Sequence, residues 1–513
     1  MKPFYITTAI SYPNGPPHIG HAYEAIATDV LARFWRLKGY DVFFLTGTDD
    51  HGQKMVQTAS KQGKTPEQLA DEMVPAFRKM VKDCLCSNDD FIRTSEKRHH
   101  DAVIEMWRRM EEKGDIYLDH YAGWYCVRDE AFYTDGDLTT NELGEKIGPN
   151  GNPVEWMEEE SYFFRLSAYQ DRLLEHYKKH PEFLQPKSRM NEIVNFVKGG
   201  LKDLSISRTN FDWGVKVPNN DKHIVYVWVD ALTNYISSLG FPNDKKQYFD
   251  KYWPANLHII GKDITRFHAV YWPAFLFSAE LALPKTIFAH GFLNLKGKKM
   301  SKSSGNVLSP DDMLERFGVD QTRYFLMREV IFGADGSFSD EAITQRINAD
   351  LANDLGNLAQ RCLSMIMKNC EGLIPKPAKF SAQDKEMLEM ADNLLEKVST
   401  HMEQLAPHHY LAEIWELIAE ANRYFAMQKP WELKESDIDR MNTTLYVTAE
   451  LIRQIAILVQ PVVPKGAEKL LNTLNIEKNS RDFAYLGKKG RLAGGIALAD
   501  IPEGVFPRLQ LKG

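Results

Sequence analysis

Two short segments hold most of the chemistry this chain could carry. In the first, Ser11-Tyr12-Pro13-Asn14-Gly15-Pro16-Pro17 forbids regular structure and hands over at His18-Ile19-Gly20-His21 to a run with helical periodicity. Two imidazoles on a first helical turn, beside the unpaired N–H groups found there, can bind an anion, and Gly20 lets a flat ring approach the backbone. Two capping or surface histidines would be written the same way. The second segment, Lys298-Lys299-Met300-Ser301-Lys302-Ser303-Ser304-Gly305-Asn306, sets three lysines among small hydroxylated residues. It reads as a phosphate-binding loop or as a basic turn facing water. Asp49, in Thr48-Asp49-Asp50-His51, closes a strand-like run and could hold a cation or cap a helix.

The elements around these residues form a strand, loop, helix, strand unit. Phe4 to Ile10 is β-branched and aromatic; Ala22, Ala25, Ile26, Val30 and Phe34 recur at helical spacing until Gly39; Asp41 to Thr46 is a second strand. Such units build parallel sheets whose ligands bind at the carboxyl ends of the strands, where both the Pro-Gly loop and Asp49 would lie. Residues 116–225 differ in texture, with Gly148-Pro149-Asn150-Gly151 and irregular turns, and read as an insertion. The rhythm resumes with Ile224 to Val229, Leu257 to Ile260, a helix around His268 to Leu281, and Thr286 to Ala289, taken as the second half of the sheet. From Glu341 onward helical patterns such as Asp350 to Lys368 and Asp384 to Leu405 dominate. The expected fold is α/β: a Rossmann-like parallel-sheet domain in halves 1–115 and 226–340, split by an inserted connective segment at 116–225, then an all-α domain at 341–513.

The bulk numbers agree. A chain of 513 residues supports two to four domains, and 43% hydrophobic with 26% charged residues is the balance of a soluble globular protein. No apolar run is long enough to span a bilayer, and the first residues leave no room for a signal peptide, so a cytoplasmic protein is expected. Five cysteines, an odd number without a repeated C-x-x-C, fit a reducing compartment and indicate no structural zinc site. The net charge of −7 disfavours a nucleic-acid partner at first sight, but Lys285 to Lys302 contains five lysines and no acidic residue.

Taken together, the two segments resemble the paired "HIGH" and "KMSKS" signatures of class I aminoacyl-tRNA synthetases and match them letter for letter. The flanks of the first, with Tyr226-Val227-Trp228-Val229-Asp230-Ala231 and Gly261-Lys262-Asp263-Ile264-Thr265-Arg266-Phe267-His268, are similar to those of the methionyl-tRNA synthetase family over nearly the whole chain. The resemblance implies a ligase that joins methionine to ATP, releases pyrophosphate, and transfers methionyl from the adenylate to the 3′ end of initiator and elongator tRNA(Met). The attacking carboxylate is already ionised, so position and charge suffice. The nucleotide, brought with Mg²⁺, would meet His18, Gly20, His21, Lys299, Met300, Ser301, Lys302 and Ser303, with Lys302 and Lys299 stabilising phosphate charge and His18 and His21 donating hydrogen bonds. Methionine would be lined by Ile10, Tyr12, Trp228, Ala231, Tyr235, Ile264 and His268, with Asp49 on its ammonium group. Asn353, Asn357 and Arg361, four residues apart, together with Trp431, would read the anticodon, which makes the last domain anticodon-binding.

The chain also departs from the family pattern. In Gly123-Trp124-Tyr125-Cys126-Val127-Arg128-Asp129-Glu130 only the first cysteine of a zinc knuckle remains, so no zinc is expected. No appended tRNA-binding module follows Val505-Phe506-Pro507-Arg508, so a monomer is expected. Two other readings compete: a class I synthetase for leucine, isoleucine, valine or cysteine, and a tRNA-binding protein on a dead synthetase scaffold. The insertion of about a hundred residues is too short for an editing domain, and the charged groups a dead enzyme would lose are all present.

Overall fold

In the computed structural model of the chain, which describes all residues except 130, 142, 243–245, 296–297, 300–307, 500–503 and 511–513, the centre is a parallel sheet of six strands. They are β1 (Pro3–Thr7), β2 (Asp41–Thr48), β3 (Asp90–Arg93), β4 (Leu184–Gln185), β5 (Leu257–Gly261) and β6 (Ile287–His290). Their order is β3-β2-β1-β5-β6-β4, with Ile6 paired to Phe44 on one side and to Leu257 on the other. The order reverses between β1 and β5, and the crevice beyond their carboxyl ends is where an open α/β sheet binds ligands. Buried on both faces, these strands are nearly continuous apolar runs, as in Leu257-His258-Ile259-Ile260.

Helix α1 (Ile19–Leu37) crosses one face of the sheet with Ala22, Ile26, Val30 and Phe34 buried, which is the stripe its periodicity required. One hydrophobic core runs from this face without a break into the helices of the last third, through Tyr410, Leu445 and Leu458. A second core lies on the other face, between the sheet, the helix Lys97–Glu112 and the inserted segment. The insertion folds around a long antiparallel pair, Ile116–Cys126 with Glu155–Phe164, flanked by Ala131–Tyr133 and Leu204–Ser205.

Two expectations need correction. Ile224 to Val229 is not a strand of the parallel sheet: Asn220–Val225 pairs with short antiparallel neighbours, and Val227–Leu232 is a helical turn, here α2. A short apolar run buried on all sides has the same composition in either state, so periodicity could not separate them. Conversely, β4 comes from within 116–225 yet pairs with β6 through Leu184 and Ile287. Two residues are too few to show alternation.

The segments at both sequence-expected recognition sites are wound more widely than an α-helix. Phe267–Tyr271, which carries His268, and Ile347–Gly356, which carries Asn353, are π-helical. Such turns are rare in helices and recur at functional sites, because the extra residue re-aims side chains. The second continues directly into α3 (Asn357–Asn369).

Candidate active site

The turn into α1 is closed by its own histidines. The N–H of Gly20 donates to His18 Nδ1 and that of His18 donates to His21 Nδ1, both at 3.1 Å, and the two rings stack with centroids 3.7 Å apart. This is a capping box with imidazoles in place of hydroxyl and carboxylate. Because backbone N–H groups are fixed donors, each Nδ1 must accept, and a neutral ring then carries its proton on Nε2 as a donor. Gly20 has a nearer reason than access for a flat ring. A Cβ there would lie 2.9 Å from His18 Cε1.

Beside this turn, His290 at the end of β6 places Nε2 2.8 Å from the Glu24 carboxylate and Nδ1 2.8 Å from the Gly291 carbonyl. Both partners accept, so the ring holds two protons. Burial opposes that charge, but Glu24 outweighs it and raises the His290 pKa. The other Glu24 oxygen accepts the Ala9 N–H at 2.9 Å, so α1, β6 and the loop after β1 are braced together. A recess lined by Thr8, Ser11, His21, Glu24, Phe77 and Phe91 opens at this point.

The loop after β1 runs alongside the end of β2. Ser11 bridges Thr48 in parallel, and the Asp49 N–H donates to the Ser11 carbonyl at 2.9 Å. Tyr12 and Asp49 are thereby brought to one place, although 37 residues separate them. Asp49 is 3% exposed, and its Oδ1 faces the Thr94 hydroxyl at 3.3 Å. Ile10, Tyr12, Trp228 and Ile264 pack as partly buried members around the core that contains Tyr235.

Within the core that Ile10, Tyr12, Trp228 and Ile264 border, Tyr235 and His268 form one unit. His268 Nδ1 lies 3.0 Å from the Ile264 carbonyl and its Nε2 2.7 Å from the Tyr235 hydroxyl. The carbonyl can only accept, so Nδ1 is protonated and Nε2 receives the tyrosine proton. Burial pushes the His268 pKa down to about 4 and the Tyr235 pKa well up, so both are neutral at pH 7. Trp228 stacks on Phe267 at 3.8 Å and stands edge-on to His268 at 6.2 Å. The result is an aromatic, uncharged wall; the buried carboxylate of Asp49 belongs to a loop that His51 ties to α2, the helix of Trp228. An unbranched, polarizable apolar chain bearing an ammonium group suits it. Phe267 was not among the sequence candidates, although it precedes His268 in a motif already singled out.

The second signature is mostly outside the described residues, as Met300, Ser301, Lys302 and Ser303 all fall there. Lys299 belongs to a short strand paired with Asn294, a few residues after β6. In the helical last third, Asn353 and Asn357 are exposed and Arg361 is half-buried on the continuous π-to-α3 helix. The Arg361 guanidinium lies 5.1 Å from the ring centroids of both Phe425 and Trp431. Helix α4 (Pro407–Gln428) ends at Lys429 in the left-handed conformation, and this turn brings Trp431, 39% exposed, onto the arginine. Arg361 and Trp431 thus meet in space, while Asn353 and Asn357 are exposed on the helix that carries the arginine.

At the inserted hairpin, burial pushes the Cys126 thiol up to about 11, and Asp129 accepts from Tyr133 at 2.9 Å and from Asn152 at 2.6 Å. Among the described residues no three His, Cys, Asp or Glu side chains are grouped to hold a metal ion, and no helix is long and apolar enough to cross a membrane.

Comparison with known proteins matches residues 4–363 to the family described as tRNA synthetases class I (M), and residues 374–510 to the anticodon binding domain of methionyl tRNA ligase. The methionine–tRNA ligase of Rhizobium meliloti is 58% identical over 507 residues, covering 99% of this chain and 98% of its own. That of Brucella suis is 60% identical over 505 residues, covering 98% of each. Among solved structures, Mycobacterium tuberculosis methionyl-tRNA synthetase in complex with methionyl-adenylate is 55% identical and superposes with a TM-score of 0.96 over 99% of this chain and 100% of that one. The apo form of that enzyme gives 0.89 at 53% identity, over 99% of each chain.

Proposed function

This chain belongs to the class I methionyl-tRNA synthetase family, and on that premise we propose that it activates methionine with ATP and charges tRNA(Met), both initiator and elongator. The observation that carries the choice of amino acid is the neutral, buried Tyr235–His268 pair beside the Trp228–Phe267 stack. Asp49 holds the substrate ammonium group, Ile10, Tyr12, Trp228, Ala231 and Ile264 surround the side chain, and the polar tips of Tyr235 and His268 face the sulfur.

ATP enters at the turn into α1, with Mg²⁺ carried on its phosphates. The Nε2–H donors of His18 and His21 meet phosphate oxygens, and Lys299 and Lys302 stabilise the charge that grows as the methionine carboxylate attacks the α-phosphorus and pyrophosphate leaves. No residue needs to remove a proton, because the nucleophile is already an anion. Met300, Ser301, Ser303 and Gly20 contribute the remaining contacts to the nucleotide. At the helical end Asn353, Asn357, Arg361 and Trp431 receive splayed anticodon bases, a reading supported by the Arg361–Trp431 contact and by the match of residues 374–510 to an anticodon binding domain. The domains divide as 1–115, 116–225, 226–340 and 341–513, and the enzyme works as a cytoplasmic monomer without structural zinc.

Exchange of labelled pyrophosphate into ATP tests the reading. Methionine should support it and leucine or cysteine should not. Replacing Lys302 with Ala should slow exchange by about two to three orders of magnitude while tRNA affinity stays near wild type. Exchange driven by leucine or cysteine in place of methionine would overturn the assignment.

A further inference from the structure

Asp230 is a fully buried carboxylate to which neither signature nor recess assigns a task. It lies in α2, two residues beyond Trp228 and one before Ala231. Its Oδ2 is 2.7 Å from His51 Nδ1 and its Oδ1 is 2.7 Å from His99 Nε2, and all three side chains are at most 3% exposed. Burial works to raise its pKa, but the attraction and hydrogen bonds of His51 and then His99 win and hold it below the usual carboxylate range. A buried charge costs several kcal/mol relative to an apolar filling, about what a good partner geometry recovers. Its return is therefore directional, two short bonds at set angles rather than net stability.

Those bonds end at the loop that carries Asp49. His51 follows Asp49 by two residues, and its own N–H faces Asp49 Oδ1 at 3.4 Å. The loop is held from elsewhere too: the Thr94 hydroxyl accepts the Asp50 N–H at 2.9 Å, and Trp213 Nε1 donates to the Asp50 carbonyl at 2.6 Å while its ring stands edge-on to His51. Neither of those contacts reaches α2. The bridge from Asp230 to His51 does.

We propose that Asp230 is a positioning residue which, through His51, keeps the ammonium anchor Asp49 in register with the Trp228–Ala231 wall, so that the site measures the distance from a charged to an apolar end. The proposal rests on the reading of Asp49 and Trp228 as methionine contacts. Misplacing one anchor by about 1 Å weakens every ligand that must touch both ends, and leaves the nucleotide, which touches neither, unaffected.

The test is pyrophosphate exchange by the full-length protein with methionine and ATP varied separately. Asp230→Asn keeps the shape, removes the charge and can accept from only one of the two imidazoles. It should raise KM for methionine at least about tenfold and leave KM for ATP within about twofold. His51→Leu should do the same. His51→Asn, whose amide N–H replaces Nδ1–H, should restore the wild-type KM. A purely structural role would instead lower the melting temperature with both KM values unchanged or moved equally, and that result overturns the proposal. Should Asp230→Asn fail to fold, the His51→Leu and His51→Asn pair decides it alone. Failure of the wild type to use methionine would sink the functional reading; normal wild-type exchange with an unmoved KM in the variants would sink only this inference.

Discussion

The Tyr235 hydroxyl and His268 Nε2 lie 2.7 Å apart in near-complete burial, and the Ile264 carbonyl on the far side of the imidazole decides that the tyrosine is the donor. Tyr235→Phe therefore leaves Nε2 as a buried acceptor without a proton. That loss costs about 1–3 kcal/mol. It should appear in calorimetry as a lower melting temperature and in exchange assays as a higher KM for methionine with little change for ATP.

The same burial sets a pH dependence. His268, with its pKa near 4 in the folded chain, and His258, also depressed by burial, both take up protons more readily when unfolded. For His268 the unfolded state binds more protons between about pH 6.5 and 4, so stability falls as pH falls, by up to about 1.4 kcal/mol per pH unit, and His258 adds a loss of the same sign below about pH 6.5. His290 has the opposite sign. Its raised pKa contributes stability that is complete below about 6.5 and is lost as pH rises through the folded value. Denaturant unfolding at several pH values, repeated for His268→Asn, should show the acid-side slope flattened in the variant.

At the turn into α1, capping and chemistry can be separated. Asn caps a helix well but has no Nε2–H, so His18→Asn should leave the melting temperature nearly unchanged while exchange drops by roughly a hundredfold. His18→Ala should lose about 1 kcal/mol of stability as well. Gly20→Ala, whose Cβ would press on the His18 ring, should slow exchange without removing either histidine. Equal activity of His18→Asn and wild type would show that His18 acts only as a cap.

On the helical surface, Trp431→Ala removes both a platform for a base and the partner that orients Arg361. Stacking of a base on an aromatic ring is worth about 1–3 kcal/mol. The KM for tRNA in charging assays should rise roughly five- to hundredfold while tRNA-independent exchange is unaffected. Equal loss in both assays would make Trp431 structural.

One buried ion pair joins the helix of the histidines to the last third of the chain. Arg323, wholly buried, donates to Asp29 on α1, to the Cys84 carbonyl and to the carbonyls of Pro461 and Val462. Asp29→Ala would strand that guanidinium. It should cost about 3–5 kcal/mol in denaturant unfolding, whereas removing an exposed pair such as Lys97 with Asp101 should cost less than about 1.

Much of this molecule is legible in one dimension, and the reason is range. The capping turn at residues 18–21, the buried stripe of α1 and the apolar strands β1, β2, β5 and β6 are specified by neighbours within a few positions, where periodicity and turn chemistry operate. The letters of both signatures name their chemistry for the same reason. Contacts that depend on distant partners left no such trace. Asp230 meets His51 across 179 positions and Glu24 meets His290 across 266, and nothing local to an aspartate, a glutamate or a histidine says that its charge will be buried. Nor could local pattern say that β4 would leave the insertion to join the main sheet, or that Phe267–Tyr271 would be wound wide enough to aim His268 at Tyr235. The sequence by itself determined which residues could act, through their types and short-range spacing. Only the tertiary structure decided which protons they hold and what they face, because burial and long-range pairing exist only once the chain has folded.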